Sequence, residues 1–115
     1  MDKNKKCSKV AEQIIKHIEQ YTEVETIKSW NNDNLPLDII NDEINGLPAL
    51  TISINSNRHS GYITISYDKS EDLYIITMYD IYHNLIAEAK YIFGCNIGEV
   101  IEELIANHGQ TFGNN

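Results

Sequence analysis

The 115-residue sequence has only two cysteines, two prolines and one tryptophan. It also has no apolar run approaching the roughly 20 residues that a membrane-spanning helix needs, so we expect no membrane contact. Cys7 and Cys95 lie far apart and outside any CxxC pair, which predicts free thiols and a cytoplasmic location. The N-terminal segment interleaves lysines with apolar residues, which is unlike the apolar stretch of a signal peptide.

Basic residues are scarce outside the N-terminus. The first 16 residues hold five lysines against two acids, whereas residues 17–115 hold four basic residues against fifteen acids. A surface of this charge would repel a phosphate backbone, so we expect no direct binding of nucleic acid. The charge predicts either a basic protein partner or a surface that is acidic for solubility alone.

Sequence motifs of catalysis are also missing. No Walker loop, GxGxxG, GxSxG, HExxH or CxxC pattern occurs. The four histidines have no metal-ligand spacing and fall on different predicted elements: His17, His59, His83 and His108. We therefore predict a protein that is not an enzyme and that needs neither a cofactor nor a metal.

The strongest structural signal is a central β-hairpin. Two runs rich in β-branched and aromatic residues, Tyr62–Tyr67 and Leu73–Tyr79, flank the polar turn Asp68–Asp72. The second run is apolar on both alternating sets, which is typical of a strand inside a sheet. We expect Ile65 and Ile75 to be deeply buried.

Apolar residues recur at helical spacing near both ends of the sequence. From about Asp2 to Gln20 they form a stripe of Cys7, Val10, Ala11, Ile14, Ile15 and Ile18. After Asn96 they form a second stripe of Ile97, Val100, Ile101, Leu104 and Ile105. Asn96 with Glu99 resembles a capping box, and Asn107–Gly109 should end this helix.

Four further segments predict strands. Tyr21–Trp30, Leu35–Ile44 and Leu50–Asn55 have strand composition, and Pro36 places the second at an edge or makes it begin there. Leu85–Phe93 is ambiguous, since a helix would also align some of its apolar residues, and we predict a strand.

Together these elements predict an α+β fold: an N-terminal helix, an antiparallel meander sheet of about five to six strands, and a C-terminal helix. Both helices should cover one face of the sheet, because that arrangement buries both stripes. We expect residues 1–109 to form a single domain and residues 110–115 to form a disordered tail.

One spacing resembles an enzyme family. Asp80 followed by Glu88 and Lys90 is similar to the D…(D/E)xK signature of the PD-(D/E)xK nucleases, although Tyr79 stands where that family has proline. The resemblance implies that the two carboxylates hold a divalent metal while the lysine stabilises charge on the phosphodiester. A metal-dependent nuclease is therefore the alternative function.

Acidic clusters at turns and strand ends carry our main functional hypothesis. We predict that a partner contacts Asp38, Asp42, Glu43, Asp68, Glu71, Asp72 and Tyr74. Small size and acidity resemble immunity proteins and the anti-restriction and anti-CRISPR inhibitors of phage and mobile elements. We therefore expect an inhibitor or accessory factor that docks on a basic protein, such as one that binds nucleic acid. The sequence leaves self-association open.

Overall fold

The computed structural model describes residues 9–32, 38–44 and 47–110. Its elements are α1 (Lys9–Tyr21), α2 (Val24–Ser29), β1 (Asp38–Ile44), β2 (Leu47–Asn55), β3 (Ser60–Asp68), β4 (Leu73–Asp80), β5 (Leu85–Ile92), a 3-10 turn (Gly94–Asn96) and α3 (Ile97–His108). The five strands lie in sequence order, each antiparallel to the next. The predicted α+β class and antiparallel sheet are confirmed. None of the helices in the described ranges is long and apolar enough to cross a membrane.

The core lies between the helices and one face of the sheet. Strand register sets alternate residues side by side, as in the fully buried row Leu50, Ile65 and Ile76. The helices complete this core with Ala11, Ile14 and Ile18 from α1 and with Ile97, Ile101, Leu104 and Ile105 from α3. The burial of Ile65 is thus confirmed. Ile75 is only half-buried, because it pairs with Ser66 on the opposite face.

Threonines mark the opposite face of the sheet. Thr51, Thr64 and Thr77 pair across β2, β3 and β4. The Thr51 and Thr64 hydroxyls are hydrogen-bonded at 2.9 Å, and the Thr77 hydroxyl donates to the Thr64 carbonyl at 3.4 Å. Cross-strand threonine pairs of this kind stabilise neighbouring strands without a large apolar contact.

The predicted strand at Tyr21–Trp30 is wrong. Helix α1 continues through Tyr21, and α2 follows after two residues. Ile27 and Trp30 are both buried, and their three-residue spacing brings them to one side of a helical turn. Burial of these two large side chains outweighs the strand preference of the neighbouring threonines and valine.

Strand β5 confirms the strand prediction for Leu85–Phe93. Its pairing with β4 contains two register shifts, each with one extra residue on β5. Tyr91, in one of these irregular segments, has a φ of 62°. The other predicted strand, Leu35–Ile44, is described only from Asp38 onward, where β1 begins; its first residues lie outside the described ranges.

The start of α3 differs from the predicted capping pattern. Asn96 occupies the N-cap position, but its side chain donates to the Glu99 carboxylate at 3.1 Å and makes no bond to the helix backbone. The helix ends at His108, as the sequence indicated. Gln110, which we assigned to the tail, is held by hydrogen bonds to His59 and Ser60.

Candidate partner-binding site

The acids of the β3–β4 turn hold the turn in shape. The Asp68 carboxylate accepts hydrogen bonds from the Ser70 hydroxyl at 2.7 Å and the Ser70 N–H at 3.1 Å. The Ser70 hydroxyl bond is the main reason that the pKa of Asp68 is lowered. Asp72 has a φ of 57°, and its carboxylate accepts the Tyr67 hydroxyl at 2.6 Å. Glu71 is left exposed between these two acids.

Tyr74 packs beside the β3–β4 turn, against the ring of Tyr67. It is only 6% exposed and its ring lies 5.4 Å from that of Tyr67 and 5.9 Å from that of His17. Burial raises the pKa of the Tyr74 hydroxyl. Tyr74, which we predicted as a partner contact, is therefore a core residue with little surface to offer a partner.

The predicted acids of β1 divide between the two ends of the sheet. Glu43 pairs with Pro48, next to the position where Ala49 pairs with Ser66 near the β3–β4 turn. Asp42 lies beside Glu43 at a register irregularity. Asp38 pairs with Ser53, several residues toward the other end. The fold thus places Asp42 and Glu43 at the turn end of the sheet and separates Asp38 from them.

A second acidic feature was missed by the sequence analysis. A groove of about 460 Å³ opens between the end of α1, the start of α2 and the outer side of α3. It is lined by Tyr21, Thr22, Glu23, Thr26, Gly98, Glu99, Glu102, Glu103 and Ala106. Glu99, Glu102 and Glu103 are spaced by three and four residues, which could have indicated that they lie on the same side of α3. The opposite wall depends on α2, which the sequence predicted as a strand.

Glu102 differs from the other acids of the groove because its carboxylate accepts hydrogen bonds from Arg58 and Trp30. Arg58 donates to both of its oxygens, at 3.0 and 3.1 Å, and the Trp30 indole N–H donates at 2.5 Å. Burial alone would raise the pKa of Glu102, but the bonds from Arg58 and Trp30 outweigh that effect and lower it. Glu23 and Glu103 have no ion-pair partner within the described residues.

A row of rings connects the turn to the groove. From Tyr67 and Tyr74 it continues to His17, whose ring stacks on Tyr21 at 6.4 Å. Tyr21 is 54% exposed and lines the groove. Ring contacts thus lead from the acidic turn, Asp68–Asp72, to the acidic groove, and we refer to these two features together as the acidic side.

The nuclease-like residues are not assembled into a site. The Asp80 carboxylate accepts hydrogen bonds from both the backbone and side chain of Asn84 and from the Tyr82 N–H, and the backbone bond from Asn84 contributes most to its lowered pKa. Glu88 pairs with Thr77 on the threonine face, whereas Asp80 alternates with the core-facing Met78. Lys90 lies 4.0 Å from Glu88. Within the described residues, no group of three or more His, Cys, Asp or Glu side chains is placed to hold a metal.

We compared the chain with protein families, curated proteins and solved structures. No protein-family model, curated protein or solved structure matches this chain.

Proposed function

We propose that this protein is a small acidic binding domain that docks on a basic protein, as an inhibitor or accessory factor of the immunity, anti-restriction or anti-CRISPR type. The observation that carries the proposal is the pair of acidic features, the β3–β4 turn and the groove, which are linked by the ring contacts of Tyr67, Tyr74, His17 and Tyr21. Glu23, Glu71 and Glu103 lie there without an ion-pair partner among the described residues. A basic surface that covers them would replace mutual repulsion with attraction.

The groove supplies shape in addition to charge. Its walls combine carboxylates with the exposed ring of Tyr21 and the small side chains of Thr26 and Ala106. A long arginine or lysine side chain matches such a surface, because its methylene stem packs on apolar atoms while its charge meets the acids. Tyrosine also offers a face for a cation at about 6 Å or less. We therefore expect an arginine- or lysine-bearing partner.

Electrostatic docking sets the first test. The partner would be isolated with the tagged protein from the source cells, purified, and measured by surface plasmon resonance across a salt series. Opposite charges steer association, so the on-rate should fall at least about tenfold between 0.05 and 0.3 M NaCl. Affinity that does not change with salt would remove the electrostatic mechanism.

A charge-matched pair of variants then locates the contact. Glu71→Lys/Glu103→Lys reverses two acids of the acidic side, while Glu12→Lys/Glu88→Lys makes the same change in net charge elsewhere on the surface. We expect the first variant to lose binding and the second to retain most of it, with both variants still folded at the temperature of the measurement. Equal losses in both would mean that only net charge matters and that the acidic side is not the site.

Metal titration separates this proposal from a nuclease. Calorimetry with Mg²⁺ or Mn²⁺ should show no saturable binding, since Asp80 and Glu88 lie on different faces of the sheet. A metal site that disappears in Glu88→Ala would instead support the nuclease chemistry.

A further inference from the structure

His59 is a fully buried histidine that uses both ring nitrogens. It lies in the loop between β2 and β3 and is 0% exposed. Its Nδ1 accepts the backbone N–H of Gln110 at 3.0 Å, so that nitrogen carries no proton. Its Nε2 therefore carries the proton and donates to the Tyr79 carbonyl at 3.1 Å. Only the neutral Nε2–H tautomer satisfies both contacts.

These bonds attach the end of α3 to the sheet. The Gln110 carbonyl also accepts the Ser60 N–H at 2.8 Å, so both backbone groups of Gln110 are bound by residues at the start of β3. Gly109 lies against the Arg58 carbonyl, where a side chain would not fit. Gly109 itself donates to the Ile105 carbonyl at 2.9 Å, a bond that belongs to the helix and not to the attachment.

A second proton on His59 is incompatible with this arrangement. Protonated Nδ1 would point an N–H at the N–H of Gln110, so the acceptor is lost and two donors face each other. The bond from Nε2 to the Tyr79 carbonyl would survive. We propose that His59 is a proton-operated clasp: neutral, it holds Gln110 against the sheet, and protonated, it releases the end of α3 while the rest of the domain stays folded.

The charged groups around the His59 ring are consistent with protonation affecting only the contacts of Gln110. Burial of the ring is the largest effect on the pKa of His59 and lowers it, while Asp80, at the end of β4, favours the protonated ring. Arg58 precedes His59 but is directed to Glu102, and His108 in the last turn of α3 is exposed. Because the Arg58–Glu102 contact does not involve His59, α3 keeps an independent attachment one to two turns before its end.

The test is residue-resolved amide hydrogen exchange across a pH series, expressed as protection relative to the intrinsic rate at each pH. The His59 ring is titrated in the same samples by carbon-detected NMR. Protection of the Gln110 amide should fall at least tenfold as His59 gains its proton, and that of Ser60 should follow. Protection of Gly109, of the β3 amides after Ser60 and of the β4 amides should persist through that midpoint.

Two variants complete the experiment. His59→Gln should abolish the pH-dependent step, while His83→Gln, at an exposed histidine stacked on Tyr62, should leave it unchanged. If His59→Gln does not fold, the comparison of Gln110 with Gly109 in the unaltered protein still decides. Constant protection of Gln110 through the His59 titration would overturn the proposal. So would loss of β3 and β4 protection at the same pH, because release would then be global unfolding.

Discussion

Glu102 shows how a single carboxylate can join three separated parts of the chain. It receives hydrogen bonds from Arg58 in the β2–β3 loop and from Trp30 after α2. The neighbouring Glu103 is exposed and has no ion-pair partner within the described chain. These two adjacent acids form a natural matched pair for mutation.

We predict that Glu102→Gln lowers the free energy of unfolding by about 1–2 kcal/mol at pH 7, because bonds to a charged acceptor are stronger than bonds to a neutral one. Glu103→Gln should change it by less than about 0.5 kcal/mol. Urea denaturation at pH 7 measures both values. Equal effects of the two variants would mean that the hydrogen bonds to Glu102 add nothing to stability.

The same pair gives a pH dependence with a defined sign. The pKa of Glu102 is lowered in the folded state, so its contribution is fully present above the unfolded value of about 4.3. It is lost as pH falls through the lower folded pKa. The stability difference between the parent protein and Glu102→Gln should therefore shrink below about pH 4. A difference that persists undiminished at pH 3 would contradict this assignment.

At the scale of elements, the two faces of the β3–β4 hairpin are not equivalent. Ile65 is fully buried against the helices, whereas Ile75 on the next strand is half-buried on the other face. We expect Ile65→Ala to cost roughly 2–5 kcal/mol, and Ile75→Ala clearly less, since the cost rises with the buried apolar volume that the truncation removes. Thermal denaturation of both variants measures the contrast. A larger destabilisation in Ile75→Ala would place the main core on the wrong face.

A tight contact between the α1–α2 link and α3 gives another element-scale prediction. The Thr22 hydroxyl is buried without a hydrogen-bond partner and lies where a side chain at Gly98 would project. Gly98→Ala should therefore destabilise the parent protein, although alanine is favoured over glycine in a helix by about 1 kcal/mol. In a Thr22→Ala background the same change should become neutral or stabilising. Additive effects in this double-mutant cycle would show that the two residues do not interact.

These elements also show which parts of the fold could be predicted from sequence. The β3–β4 hairpin and α3 were predicted correctly because each element is long enough for its own residues to show the apolar periodicity of a strand or a helix. Helix α2 was not, because its six residues are rich in strand-favouring types and its helical form depends on burying Ile27 and Trp30. Short elements of this kind are decided by tertiary contacts and not by local preference.

The candidate site was predictable to the same limited extent. The acids of the β3–β4 turn are contiguous in sequence, so their proximity was evident. The groove joins residues 21–26 to residues 98–106, and its existence depends on how α2 and α3 pack. Burial of Tyr74 was equally hidden, since alternation along β4 offered two faces that both carry large side chains. His59 gave no sequence signal, because its partners are backbone atoms of Tyr79 and Gln110.

At the scale of the whole molecule, the excess of acidic residues sets how stability responds to salt. The formal net charge is −8, and only two ion pairs occur within the described side chains. Acids without counter-charges repel one another in the compact state, and dissolved salt screens that repulsion over a length of about 10 Å at 0.1 M. The folded protein should therefore gain stability as salt is added, even though the proposed binding to a basic partner would weaken.

We predict that raising NaCl from 0.02 to 0.3 M increases the melting temperature by about 3–6 °C, which corresponds to roughly 1 kcal/mol for a domain of this size. MgCl2 at the same ionic strength should give the same increase, because screening does not depend on a particular ion site. Glu71→Lys/Glu103→Lys changes the net charge from −8 to −4, so its melting temperature should start higher and respond less to salt. A melting temperature that falls with NaCl would show that attractive ion pairs outweigh the repulsion. The acids would then be stabilising the fold themselves, and their retention would need no partner to explain it.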